Sequence, residues 1–302
     1  MAFFEKALEA KVMSTHLLIK ANISKNILLQ AHKIATNFES RYSAYKEDSF
    51  LNTINQNAGK SPIHCTKEDY ALFSTAIKAS EQTDGLFDIS IGALSHGAYH
   101  FGFTNEQKAS QEVLKIQKKL VNYKQITLTK NSIMLNKKGM RLDLGGIGKG
   151  YVAKLIAQFL ADKGATKILV DVGGEIVTRG KSYTIALRDP FSENNLALIK
   201  TSKEDMSIST SGSYERFIDK ESHHILSASE GISPQYYNSM SILQNGWNID
   251  FLDAYATAMF NREPRKLKNL SRTYNISLIT IDKKNIIIQE NMQNISAFFS
   301  KI

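Results

Sequence analysis

Asp253 and Thr257 stand in a segment where Leu252, Ala256, Met259 and Phe260 recur at helical spacing, which puts the carboxylate and the hydroxyl one turn apart on the same helix face. Two hard oxygen donors so placed can share a cation such as Mg²⁺, which takes oxygen ligands, keeps several waters and bridges to substrate phosphates. The same pair also reads as an acid near a helix N-terminus beside a threonine that bonds back to the preceding turn. Further upstream, Leu142-Asp143-Leu144-Gly145-Gly146-Ile147-Gly148-Lys149-Gly150 sets four glycines between a short apolar strand and a helix. Such a backbone can approach an anion closely, the helix start offers unpaired N–H groups, and Lys149 adds a positive charge. The segment matches neither the dinucleotide fingerprint nor the Walker pattern, because the spacing differs and no Ser or Thr follows Lys149. It serves equally as a tight strand-to-helix turn. His223-His224 supplies a candidate general base, and an extended segment would direct only one of the two towards a site.

These groups need elements to hold them. Lys149 opens a helix whose apolar face runs Val152, Leu155, Ile156, Phe159 and Leu160 and which closes at Gly164, with a strand over 167–172 directly after it. Gly173-Gly174 then makes a second turn ahead of Glu175, which reads as a ligand hydrogen-bond acceptor or as a solvated loop carboxylate. Ile27, Leu28, Ala31, Ile34, Ala35 and Phe38 mark another helix, and Asp69 reads as the N-cap of one carrying Phe73, Ala76, Ile77 and Ser80. Alternating apolar residues predict a hairpin over 125–136 around Lys130-Asn131, a second over 276–288 around 282–285, and a strand through Tyr183, Ile185 and Leu187. Four prolines and no low-complexity stretch leave no linker, so residues 1–302 read as one α+β domain. Residues 104–120 are polar and helix-prone, a peripheral insertion or a plain surface helix.

Taken in order, these segments resemble the ApbE family of FAD:protein FMN transferases. The resemblance is carried by Met13-Ser14-Thr15, by Tyr42-Ser43-Ala44-Tyr45 with residues 49–55, by Asp84-Gly85-Leu86-Phe87-Asp88, and by the glycine segment. It continues through Val172-Gly173-Gly174, Thr210-Ser211-Gly212-Ser213-Tyr214, His223-His224-Ile225 and Asp253-Ala254-Tyr255-Ala256-Thr257. It implies an ApbE-like α+β fold related to the T-fold, with mixed sheets flanked by helices. It also implies FAD as substrate, contacted by Met13, Tyr45, Leu86, Phe87, Asp88, Asp143, Lys149, His224 and Leu226, and Mg²⁺ on Asp253, Thr257 and the Gly146 carbonyl. His224, Asp253 and Lys149 would carry the chemistry: FMN passes from FAD through a phosphoester bond to a Thr or Ser of an acceptor protein, and AMP leaves. One departure follows His224, where the family usually has Asp-Pro and this chain has Ser227 in place of the carboxylate. Two alternatives stay open, an FAD pyrophosphatase giving FMN and AMP and a non-catalytic FAD-binding protein.

Composition bounds the rest. Lys plus Arg number 38 against 29 Asp plus Glu, a formal +9, which suits a polyanionic ligand or a solvated basic surface. No block of five like charges and no basic stripe interleaved with aromatics occurs, so a nucleic-acid groove is not expected. Cys65 is the only cysteine, which excludes an intramolecular disulfide and a cysteine-based metal site. No segment approaches the ~18 apolar residues of a membrane span. The start, Met1-Ala2-Phe3-Phe4-Glu5-Lys6, lacks an export pattern, so the expectation is cytoplasmic as written and periplasmic if an export signal has been removed.

Overall fold

The computed structural model describes residues 4–107, 109–214, 216–292 and 296–299. Strands β1 (Lys6–Val12) and β2 (Thr15–Ala21) form a hairpin whose two-residue turn, Met13-Ser14, has φ of 50° and 60°, the left-handed pair that matches strand twist. Helices α1 (Lys25–Tyr42) and α2 (Phe50–Gln56) follow, capped by Ser24 and Ser49. Next come β3 (Ile63–His64), α3 (Lys67–Gln82), the single turn α4 (Gly92–Ser95) and α5 (Gln111–Lys118). The predicted hairpin is β4 (Ile126–Thr129) and β5 (Ser132–Leu135). Then α6 (Gly148–Asp162) leads to β6 (Ile168–Val172), β7 (Glu175–Arg179), β8 (Thr184–Arg188), β9 (Asn195–Lys200) and β10 (Met206–Gly212). A short ribbon, β11 (Phe217–Asp219) and β12 (Ser222–His223), precedes β13 (Tyr237–Asn245), α7 (Ile249–Phe260) and α8 (Pro264–Thr273). The chain ends through β14 (Ser277–Asp282), β15 (Ile287–Glu290) and β16 (Ser296–Phe299).

Eight strands make one antiparallel sheet in the order β1-β2-β6-β7-β10-β13-β14-β15, with three smaller sheets around it. Helices α1, α6 and α7 cover one face, where Leu17, Ile19, Val170, Val177 and Ile242 share a core with Leu28, Val152, Ile156 and Leu252. On the other face Leu169, Ile176, Ile208 and Leu243 pack with Tyr183, Ile185, Leu187 and Ile199 of β8 and β9. Covered on both sides, β6 is almost continuously apolar, because successive side chains point to opposite faces. A third, small core joins Leu94, Ala98, Tyr99 and Phe101 to Leu114 and Leu226, so the 104–120 segment rests on it through α5. No helix among the described residues is long and apolar enough to cross a membrane.

Three local expectations change. The N-cap of α3 is Thr66, and Asp69 is the third helical residue, completing a capping box with it. The glycine segment has no strand before it, only an isolated bridge between Ile91 and Arg141. Glu175 is no loop carboxylate: Gly173 and Gly174, with φ of 60° and 93°, turn the chain in two residues, so the strand resumes at Glu175, which is fully buried.

Candidate active site

The first turn of α6 crosses α7 at Gly150. A Cβ there would lie 2.4 Å from the Ile249 carbonyl oxygen and 2.9 Å from Asp253 Cβ, so only glycine allows the approach. The approach lets the Gly150 amide donate to Asp253 Oδ2 at 2.9 Å. Ahead of the helix, a Cβ at Gly146 would lie 2.9 Å from Thr257 Oγ1 and 3.3 Å from the Phe87 ring. Gly146, Asp253 and Thr257 therefore meet where the two helices cross.

Charge is concentrated beside them. Lys149 Nζ donates to Glu175 Oε1 at 2.7 Å, while Glu175 Oε2 is buried with no hydrogen-bond partner. Burial and the neighbouring charge of Asp253 push the Glu175 carboxyl up to about 8 against the pull of Lys149. Burial also raises Asp253, with Lys149 and the Gly150 amide opposing it. Two buried acids thus lean on one ammonium, and a divalent cation would supply the missing positive charge. Among the described residues no cluster of three or more His, Cys, Asp or Glu offers a metal site. The carboxylate, hydroxyl and carbonyl at the crossing are all hard oxygen donors, a set that fits Mg²⁺ and not a thiolate- or imidazole-seeking metal.

Asp143, at the start of the glycine turn, is fastened from both sides. Oδ1 accepts from the Gly145 amide at 2.7 Å and Oδ2 from Ser95 Oγ at 2.6 Å, and His96 Nε2 lies 3.0 Å from Oδ2. Burial raises its carboxyl, but the His96 ring, the Ser95 hydroxyl and the Gly145 amide outweigh it and hold Asp143 well below the usual carboxylate range. The His96 ring meets Tyr45 edge-on at 5.4 Å, and Phe103 completes a three-ring cluster, 5.2 Å from Tyr45 and 5.5 Å from His96. Tyr45 Oη accepts from Arg216 Nη1 at 2.8 Å.

His224 follows the β11–β12 ribbon. Its backbone amide and its Nδ1 lie 3.0 and 3.2 Å from the Arg216 carbonyl oxygen. A carbonyl only accepts, so Nδ1 carries the proton and Nε2 is left with a lone pair. Burial lowers the ring to about 4, so it is neutral near pH 7. His223 is spent on structure: its Nε2 meets the Pro234 carbonyl at 3.0 Å and its amide donates to Ser233 Oγ. Ser227 closes the loop that departs from the family pattern, since its Oγ accepts from the Glu230 amide at 3.2 Å and its carbonyl from the Gly231 amide at 2.7 Å. A hydroxyl there does the turn-forming work open to a carboxylate.

The remaining predicted residues join the same neighbourhood. Met13 Cε lies 3.5 Å from the Cβ position of Gly148. Phe87 is buried against Gly146, and Leu86 is half-buried beside it. Asp88 spends its carboxylate on the Ser90 amide and hydroxyl and the Tyr123 amide, at 2.8, 2.6 and 3.0 Å, which shapes the loop carrying Leu86 and Phe87. Asn261 Nδ2 donates to the carbonyls of Thr257 and Leu226, tying Leu226 to α7. Ser95, His96 and Arg216 were not singled out from sequence, because each acts across a long separation that no local pattern marks.

An antiparallel sheet backed by three helices, with a glycine-opened helix crossing an Asp/Thr-bearing one, defines an α+β protein of ApbE architecture. It superposes on the ApbE protein of Thermotoga maritima with a TM-score of 0.85 over 96% of this chain and 98% of the other, at 24% identity. It superposes on the flavin transferase ApbE of Vibrio cholerae at 0.82 over 98% and 97%, at 21% identity. The sequence model of the ApbE family matches residues 12–280, and the chain belongs to that family. It is 30% identical to an FAD:protein FMN transferase of Treponema pallidum, over 72% of this chain and 66% of the relative, and 28% identical to one of Klebsiella pneumoniae, over 74% and 72%.

Proposed function

We propose that this chain is an FAD:protein FMN transferase that works with Mg²⁺ and moves FMN from FAD to a Ser or Thr hydroxyl of an acceptor protein. The observation that carries the reading is the convergence of Asp253, Thr257 and Gly146 beside Lys149, in a chain of the ApbE family. Asp253, Thr257 and the Gly146 carbonyl would hold the metal, which when bound neutralises charge on the pyrophosphate oxygens. Lys149 adds a second positive charge for the phosphates, drawn from its pairing with Glu175. The neutral His224 ring accepts the acceptor's hydroxyl proton at Nε2. The hydroxyl oxygen bonds to the FMN phosphorus, the bond from that phosphorus to the bridging oxygen breaks, and AMP departs with the oxygen. Met13, Tyr45, Leu86, Phe87, Asp143 and Leu226 contact the dinucleotide, and Asp88 sets the loop between them.

Incubation with FAD and Mg²⁺, with and without a flavin-acceptor domain, followed by AMP release and acceptor mass, tests this. An FMN-sized gain on the acceptor that Asp253→Ala abolishes is expected. Free FMN and AMP without labelling would make the chain an FAD pyrophosphatase, and FAD binding without turnover would make it a flavin-binding protein.

A further inference from the structure

We infer that Arg216 is a positioning residue for the transfer reaction, coupling the general base His224 to Tyr45 on the opposite side of the site. The inference rests on the function proposed above, and its geometry is independent of it. Arg216 faces two ways. Its carbonyl oxygen takes both the backbone amide and Nδ1 of His224, which selects the tautomer with a free Nε2. Its guanidinium donates to Tyr45 Oη, 171 residues away in sequence.

The residues on either side of His224 are packed, His223 edge-on to Phe260 and Ile225 and Leu226 in buried cores, whereas the Arg216 end of the ribbon is held through its side chain. Strands β11 and β12 form a two-stranded ribbon outside the main sheet, with a register irregularity between Phe217 and Asp219. A ribbon of two strands is marginal without outside contacts. Its inner strand is fastened through His223 to Ser233 and Pro234, and the start of its outer strand reaches across through Arg216 to Tyr45. Tyr45, although partly exposed, packs in a three-ring cluster with His96 and Phe103, and His96 in turn lies against Asp143. The Arg216 side chain therefore links the base to the ring cluster that flanks the glycine turn.

Arg216→Met removes the donor and keeps the carbonyl. Arg216→Lys keeps a donor, and Tyr45→Phe removes the acceptor while keeping the ring. The ring tautomer of His224 is read by long-range proton–nitrogen NMR on histidine-labelled protein, with the signal assigned by its loss in His224→Gln. Steady-state transfer to an acceptor domain gives kcat and KM for FAD. The wild type is expected to show the Nδ1–H form, and Arg216→Met a mixture of tautomers. In that variant kcat falls on the order of tenfold, the scale of a displaced catalytic group, with a smaller change in KM. Arg216→Lys should recover most of the rate, Tyr45→Phe should reproduce the Met variant, and the double variant should be no slower than either single one. A wild-type tautomer and kcat in Arg216→Met, or losses that multiply in the double variant, would overturn the coupling. If the wild type transfers no FMN, the proposed function fails, and the tautomer comparison still decides on Arg216.

Discussion

The Gly150 amide donates to Asp253 Oδ2 at 2.9 Å, which joins the first turn of α6 to the middle of α7. The atoms a Cβ would strike, the Ile249 carbonyl at 2.4 Å and Asp253 Cβ at 2.9 Å, are backbone or nearly so and cannot swing aside. Gly150→Ala is expected to push the helices apart at a cost of about 1–3 kcal/mol, beyond the helix propensity that alanine returns. Urea unfolding should show a lower midpoint, and transfer activity should fall by more than the lost folded fraction because Asp253 moves with α7. An unchanged midpoint would mean the crossing is looser than these distances.

Glu175 makes stability depend on pH in a direction that a solvated carboxylate would not. Its folded pKa is raised from 4.5 to about 8, so its contribution is fully present below 4.5 and is lost as pH rises through about 8. Glu175→Gln keeps the shape and removes the ionisation. In EDTA, the variant should gain on the wild type between pH 4.5 and 8, by at most about 1.4 kcal/mol per pH unit, the limit for one proton. Urea titrations of both proteins across that range check it. A flat difference would mean that Lys149 already holds Glu175 ionised throughout.

Asp69 ties α1 to α3. It accepts from Arg41 Nε and Nη2 at 2.8 and 2.5 Å, from Tyr42 Oη at 2.5 Å and from the Thr66 amide at 2.8 Å. Asp69→Asn breaks a buried charge pair and should cost about 3 kcal/mol, at the lower end for such pairs because Arg41 is partly exposed and can rehydrate. Thr66→Ala removes only the cap from the Asp69 amide and should cost about 1 kcal/mol. Equal losses in chemical denaturation at pH 7 would refute the ranking.

Local periodicity made α1, α6, β6 and the hairpins legible, because each has one face, or two, packed on a core that its apolar residues reproduce. Strand order was not legible: β2 lies beside β6 through contacts between Leu17 and Val172, and nothing near either residue encodes the other. Within the site, Asp253 and Thr257 can be paired from helical spacing alone, whereas the strand position of Glu175 is hidden, because Gly-Gly suggests an irregular turn and the two-residue hairpin follows only from pairing. Asp69 shows the opposite case, since Thr66 three residues earlier is a capping-box signal present in the sequence. The contacts of Ser95 and His96 with Asp143, and of Arg216 with Tyr45, depend on tertiary placement.

The acid limb of the transfer reaction should lie unusually low. Burial depresses the His224 ring from 6.5 to about 4, opposed by its hydrogen bond to the Arg216 carbonyl, so the base keeps its Nε2 lone pair well below neutral pH. A depressed histidine stabilises the fold above its unfolded pKa of 6.5, and that contribution is lost as pH falls through about 4. Stability should therefore begin to fall below about 6.5, before the rate does, and kcat/KM for FAD at fixed acceptor should stay level from neutrality to roughly pH 5 before it drops. His224→Gln should lower transfer by about 10²- to 10⁴-fold and remove the limb, the range expected when a positioned base is lost. A limb centred at 6.5 or above in the wild type would show that the ring is hydrated during turnover. Burial would then not depress the ring, and an acid limb left unchanged in His224→Gln is the result that would take the base role from His224.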